Sequence, residues 1–201
     1  MSFGLSGCHN SGKTTLAKAI ADAAGIPFFE TKTSELLAEI GISGVGVLDM
    51  ESRFLAQDHL LNRFWEISQA HARPFISDRT PLDYIGYMLA EVTMHNTSAE
   101  LGARVDAFVE RAINAAANTF MGIIIVDRLP GYDADLKRPP VNLAYQLEHQ
   151  LLVRGASARL GNTDVFHIHT TSASERLDYA LAAINESTMG MEKLRVQARH
   201  H

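Results

Sequence analysis

The chain alternates short apolar runs with longer segments whose apolar residues recur every three or four positions, and the changes of period mark its elements. Residues 3–6 (FGLS) read as a strand, followed by a glycine-rich turn and then KTTLAKAIADAAG at helical spacing. Gly25 and Pro27 close that helix, and IPFFE (26–30) begins a second strand. Over 49–71 the apolar residues Met50, Phe54, Leu61, Phe64 and Trp65 fall at helical intervals. PFISD (74–78) is a short buried strand. Thr80-Pro81 then opens a helix, with the hydroxyl at the N-cap and proline at the first helical position.

Thr97-Ser-Ala-Glu100 resembles a capping box, and the helix behind it buries Leu101, Val105, Phe108, Ala112 and Ala116. GIIIVD (122–127) is the most apolar run and reads as a central strand. Residues 127–141 are polar, proline-rich and basic in patches, so they form a loop. Leu143, Leu147 and Leu151 mark another helix, DVFHIH (164–169) a last strand, and Ser172-x-x-Glu175 the start of a closing helix. The pattern predicts an α/β fold of three layers, a five-stranded parallel sheet flanked by helices on both faces. We expect a single domain over 1–186 and a loose C-terminal tail over 187–201.

At 201 residues the chain holds one domain with a substantial core, and its formal charge of −5 implies no broad basic field for nucleic acid. A lone cysteine cannot form an internal disulfide or a cysteine zinc cluster, which fits a reducing compartment. No apolar stretch approaches the length of a membrane span, and the N-terminal residues do not have the pattern of a signal peptide. The expectation is a soluble cytoplasmic protein without a membrane partner.

Gly7-Cys8-His9-Asn10-Ser11-Gly12-Lys13-Thr14 matches G-x-x-x-x-G-K-[ST] throughout, with a strand before it and a helix after it. The glycines let successive N–H groups face inward around phosphates, Lys13 reaches the β- and γ-phosphates, and the Thr14 hydroxyl ligates Mg²⁺. The candidate nucleotide-binding set is therefore Gly7, Asn10, Ser11, Gly12, Lys13, Thr14 and Thr15, with ATP and Mg²⁺ as the expected cofactors. Cys8 and His9 occupy free positions of the loop, as filler or as a reactive thiol and imidazole.

Two strands end in Asp-Arg, at Asp78-Arg79 and Asp127-Arg128. Either aspartate lies on the ligand-binding edge of such a sheet, and pattern alone does not separate them. GLSGCHNSGKTTLAKAIA together with SDRTPLDYIGYML resembles the small P-loop kinases: the nucleoside and nucleotide kinases, the AAA ATPase group with the nicotinamide-riboside kinases, and phage thymidylate-kinase-like DNA base kinases. The likeness spans residues 3 to about 184, but only the phosphate loop and the Asp-Arg-x-Pro-Leu-Asp stretch are specific.

That resemblance implies a P-loop NTPase fold in which Asp78 is the general base or a magnesium-shell carboxylate. Arg79 then holds the acceptor or the transferring phosphate. It also implies a basic lid over 128–138, in which Arg128, Lys137 and Arg138 supply cations to the transferring phosphoryl group. Pro139-Pro140 stiffens the return into the next helix. The alternatives are a helix-capping role for Asp78 and solvated charges on an ordinary loop.

On the acceptor side, Glu30 ends the second strand, where a carboxylate can accept from a sugar hydroxyl or base amine. Arg53 and Gln57 are four apart on one helical face and suit a base or phosphate, although they and Arg63 can also be solvated. Phe64, Trp65 and Tyr84 fit the core as well as a stacking role. His167 and His169 share one strand face but lack an apparent third metal ligand. No Asn-Lys-x-Asp guanine reader is present, which weakens a GTPase reading.

The leading expectation is a P-loop phosphotransferase that passes the γ-phosphate of Mg·ATP to a nucleoside or nucleotide acceptor. A phage-type kinase acting on a 5-hydroxymethyl pyrimidine within DNA is compatible, since Glu30-Thr-Lys-Thr replaces the thymidylate-kinase Arg-Glu-Pro-Gly loop; the acidic charge argues mildly against it. A nucleotide switch acting on a protein partner is the third alternative, with Asp127 as its Walker B carboxylate and the 49–73 helix as docking surface. A homodimer is left open.

Overall fold

The computed structural model describes residues 2–43, 47–130 and 142–198. Strand β1 (Ser2–Ser6) runs into the glycine-rich turn and helix α1 (Lys13–Ala24). Strand β2 (Phe28–Phe29), helix α2 (Thr33–Ala38) and the long helix α3 (Met50–Ala70) follow. Then come β3 (Ile76–Ser77), α4 (Pro81–Leu89), α5 (Ala99–Thr119), β4 (Phe120–Val126), α6 (Leu143–Ser157), β5 (Asp164–Ile168) and α7 (Ala173–Ala198). Helix α2 had no counterpart in the sequence pattern. The closing helix runs to Ala198, so residues 187–198 of the expected loose tail continue it, and 199–201 lie outside the described residues.

All strand pairs are parallel, in the order β2-β3-β1-β4-β5. Strand alternation divides the core in two. Ile123 and Ile125 of β4 face a cluster built from α3, α4 and α5, whereas Ile124 and Val126 face one built from α1 and α7. A sheet buried on both faces carries near-continuous apolar strands, as GIIIV does. Because β1 lies between β3 and β4 while the chain leaves it toward β2, the turn after β1 sits at a topological switch point. Ligands bind there in open α/β sheets.

Side-chain caps fix the helix starts. Asp49 accepts from Ser52 N–H at 2.8 Å ahead of α3, and Thr80 and Asp83 form a full capping box on α4. At α5 the N-cap is Ser98, one residue beyond the expected Thr97, with its hydroxyl accepting from Leu101 N–H at 3.1 Å.

Helix α6 forms where Leu143, Leu147 and Leu151 predicted it, but those leucines are exposed. The face turned inward carries Gln146, His149, Gln150 and Val153. Leu147 is 45% accessible and His149 fully buried, so the helix packs with its polar side in. Among the described residues no helix is long and apolar enough to cross a membrane.

Candidate active site

The phosphate loop is shaped by backbone that few residues can adopt. Gly7 has φ +149°, its N–H donates to Asp83 Oδ1 at 2.9 Å, and a Cβ there would sit 2.4 Å from the Val126 carbonyl oxygen. Gly12, at φ +84°, is the N-cap of α1 and leaves the first N–H groups of that helix without a side-chain cap. These donors and the positive end of the helix favour an anion.

Lys13 is buried, and its ammonium donates to the carbonyls of Gly7 at 2.6 Å and Cys8 at 2.8 Å. Asn10 Nδ2 and Ser11 Oγ are buried without a hydrogen-bond partner. Orphaned polar atoms beside a curled loop are what a phosphate ligand satisfies. Thr14 and Thr15 are exposed on the first turn of α1.

The loop is held from behind by Arg176 of α7. Its guanidinium donates to the carbonyls of Thr170 (2.7 Å), Ser11 (2.6 Å) and Asp127 (2.9 Å). Gln146 of α6 donates to the His9 carbonyl at 3.0 Å. Burial pushes the Cys8 thiol up, which disfavours a reactive thiolate. Burial, reinforced by Lys13 and Arg79, pushes the His9 imidazole down to about 4, so it is neutral near pH 7.

The two strand-end aspartates have different surroundings. Asp78 is buried and accepts from the Thr14 hydroxyl at 2.8 Å, the Thr31 N–H at 3.1 Å and the Thr31 hydroxyl at 3.0 Å. Asp127 accepts from Arg154 at 2.6 Å and Gln150 at 2.7 Å, and pairs with His169 at 2.9 Å. The structure thus brings Asp78, not Asp127, to Thr14. A hydroxyl and a carboxylate in contact are hard oxygen donors of the kind Mg²⁺ takes alongside phosphate and water oxygens.

Asp83 was missed as a site residue in the sequence, where it stood only as part of the helix after Asp78-Arg79. It is fully buried, accepts from the N–H groups of Gly7 (2.9 Å) and Thr80 (3.1 Å), and lies 3.9 Å from Lys13 Nζ. Burial works against the charge of both partners, and their mutual attraction opposes it. The Thr80-x-x-Asp83 spacing signals a capping box, but nothing in it signals that the same carboxylate reaches the phosphate loop.

Arg79 is half-buried beside Tyr87, with its guanidinium carbon 5.7 Å from the ring centroid. Burial opposes its charge, but Tyr87 and Asp83 hold it above the ordinary range. On α3, Arg53 pairs with Glu91 at 3.3 Å and Gln57 is buried with Oε1 lacking a partner. Tyr84 Oη on α4 is likewise buried and unpartnered.

Other candidates fall elsewhere. Glu30 follows β2 and is exposed. Arg63 pairs with Glu39 and Glu66 on the outer side of α3. Phe64 is core, whereas Trp65 is exposed. His167 and His169 stand side by side with parallel rings, and among the described residues no group of three or more metal-ligating side chains exists. Arg128 donates to the Leu143 carbonyl at 2.9 Å. Lys137, Arg138 and Pro139-Pro140 of the expected lid lie outside the described residues.

The AAA domain family model matches residues 3–176. No curated protein matches the sequence significantly. Among solved structures, deoxyadenosine kinase from M. mycoides with bound dATP aligns at TM-score 0.66 and 14% identity, covering 92% of this chain and 99% of that one. Thymidylate kinase from Candida albicans aligns at TM-score 0.52 and 15% identity, covering 100% of this chain and 93% of that one. Shikimate kinase from Aquifex aeolicus aligns at 0.51 and 15%, covering 94% and 99%. At these identities the likeness is one of fold: a parallel sheet, flanking helices and a phosphate loop after β1.

Proposed function

The chain belongs to the AAA domain family, and on that premise we propose that it is an ATP-dependent kinase. The γ-phosphoryl group of Mg·ATP passes to a hydroxyl or phosphate of a nucleoside or nucleotide acceptor. The observation that carries this reading is the convergence of Lys13, Thr14 and Asp78 at the end of β1 and β3, with Arg79 next to Asp78 and against the Tyr87 ring. The similar solved kinases add support, since one of them is described with bound dATP.

Phosphoryl transfer needs positioning and charge neutralisation more than covalent chemistry. The Gly7–Thr14 loop supplies backbone donors, and Lys13 supplies a cation that must leave its own loop carbonyls to reach a phosphate. Bound Mg²⁺ neutralises charge on the phosphates. Thr14 and Asp78 are the residues that would hold it, or Asp78 would accept the proton of an acceptor hydroxyl. Arg79 steadies the acceptor or the group in transfer. Arg53, Gln57 and Glu30 are the acceptor-side candidates; of these, Gln57 carries a buried polar atom with no partner in the protein.

Two features favour a small acceptor over one within DNA. The net charge is −5, and Arg53 and Arg63 are already paired with carboxylates. A switch built on Asp127 loses ground because that carboxylate is engaged by Arg154, Gln150 and His169. Incubation of labelled Mg·ATP with nucleosides, nucleotides and base-modified duplex DNA tests the proposal. Transfer to a small acceptor far above transfer to water supports it. ATP loss equal to hydrolysis with every acceptor overturns it.

A further inference from the structure

We propose that His149 is a positioning residue for Arg79, acting through the ring of Tyr87. The inference rests on the reading of Arg79 as a cation of the acceptor side. It concerns how that cation is held rather than what it binds.

Helix α6 turns His149 inward against α4, where it is fully buried. Its Nε2 lies 3.2 Å from the Asp83 carbonyl oxygen. A carbonyl only accepts, so Nε2 carries the hydrogen and the tautomer is fixed, with Nδ1 left as a bare acceptor without a partner. The close approach depends on Gly86: a Cβ at that position would stand 2.7 Å from His149 Nε2.

Held at that height, the imidazole meets Tyr87 with ring centroids 4.3 Å apart and planes inclined by 54°. The other side of the contact is Arg79, whose guanidinium carbon is 5.7 Å from the Tyr87 centroid. An arginine just beyond a two-residue strand has many rotamers, and an aromatic ring restricts them only if the ring itself is fixed. Tyr87 is half-buried on α4, and His149 is the ring that backs it. Gly86, His149 and Tyr87 thus form a stack whose outermost member is Arg79.

The test reads Arg79 directly. In ¹⁵N-labelled protein the Arg79 Nε–H resonance is assigned by its loss in Arg79→Lys, and its exchange with water is measured. Nε–H of Arg176, buried and bonded to the Thr170 carbonyl, is the internal control. His149→Ala is expected to speed exchange at Arg79 by about tenfold or more and to leave Arg176 unchanged. His149→Phe, which keeps a ring against Tyr87, is expected to restore slow exchange.

Unchanged exchange at Arg79 in a folded His149→Ala protein overturns the inference, as does equal loosening of both arginines. Should His149→Ala fail to fold by circular dichroism, Tyr87→Leu takes its place and must give the same selective loosening. Calorimetry of the wild-type protein with Mg·ATP separates the two levels: no heat of binding removes the kinase reading and leaves the stack standing.

Discussion

The Thr14 hydroxyl donates to Asp78 across 2.8 Å, joining the first turn of α1 to the end of β3 although 64 residues separate them. Asp127 sits at the corresponding end of β4 and is instead paired with Arg154 at 2.6 Å. Both lie at carboxyl ends of parallel strands, and their neighbours alone tell them apart.

Asp78→Asn is therefore expected to lower phosphoryl transfer at least about hundredfold, because it removes charge where phosphates and metal gather. Asp127→Asn is expected to change transfer less than about tenfold and to cost about 1 kcal/mol of stability through its partly exposed ion pair. Steady-state kinetics and urea unfolding of both variants check the ranking, and a reversed order moves the working carboxylate to β4.

Asp83→Ala removes the acceptor of two backbone N–H groups and the buried counter-charge of Lys13. Loss of one partner of a buried pair costs about 3–5 kcal/mol. Asp83→Asn retains an oxygen for one of those donors and is expected to cost less. Urea midpoints for the two variants give the comparison.

Burial, with Lys13 and Arg79 adding to it, pushes His149 down to about 3, below its ordinary value of 6.5. The unfolded chain then binds the proton more readily, so the stabilising contribution is complete above pH 6.5 and is lost as pH falls toward 3. The expected slope from this group is about 1.4 kcal/mol per pH unit within that window. His9 acts in the same direction, down to about 4. Unfolding free energies measured from pH 7 to pH 4 should show this decline, and His149→Phe should flatten it.

Substitutions on the two faces of α6 are expected to rank against hydrophobicity. Leu147→Gln, on the exposed side, should change stability by no more than about 0.5 kcal/mol. Val153→Ala, at a fully buried position, should cost about 1–3 kcal/mol. Thermal and urea unfolding of the pair check this.

That helix also shows where sequence reading stops. Leu143, Leu147 and Leu151 announce a helix by their spacing, but spacing does not say that Gln146, His149 and Gln150 will be the side turned in. Their burial is set by carbonyl and carboxylate partners on the phosphate loop, α4 and Asp127, none of them near in sequence. The parallel sheet was legible because apolar runs such as GIIIV are bounded by turns, and the phosphate loop because its glycines and Lys13 sit at fixed intervals. Asp83 and Tyr87 were not, since a buried carboxylate in a capping box and a tyrosine on a helix are both ordinary. Helix α2 is six residues long, too short for periodicity to register.

Arg176 reaches back 165 residues to hold the Ser11 carbonyl. On the ribosome, Gly7–Thr14 emerges well before its clamp. A nascent chain carrying every residue of the phosphate loop still lacks the guanidinium that fixes three of the surrounding carbonyls in place. Nucleotide capture during synthesis should accordingly set in abruptly, as α7 docks, rather than growing with each strand added.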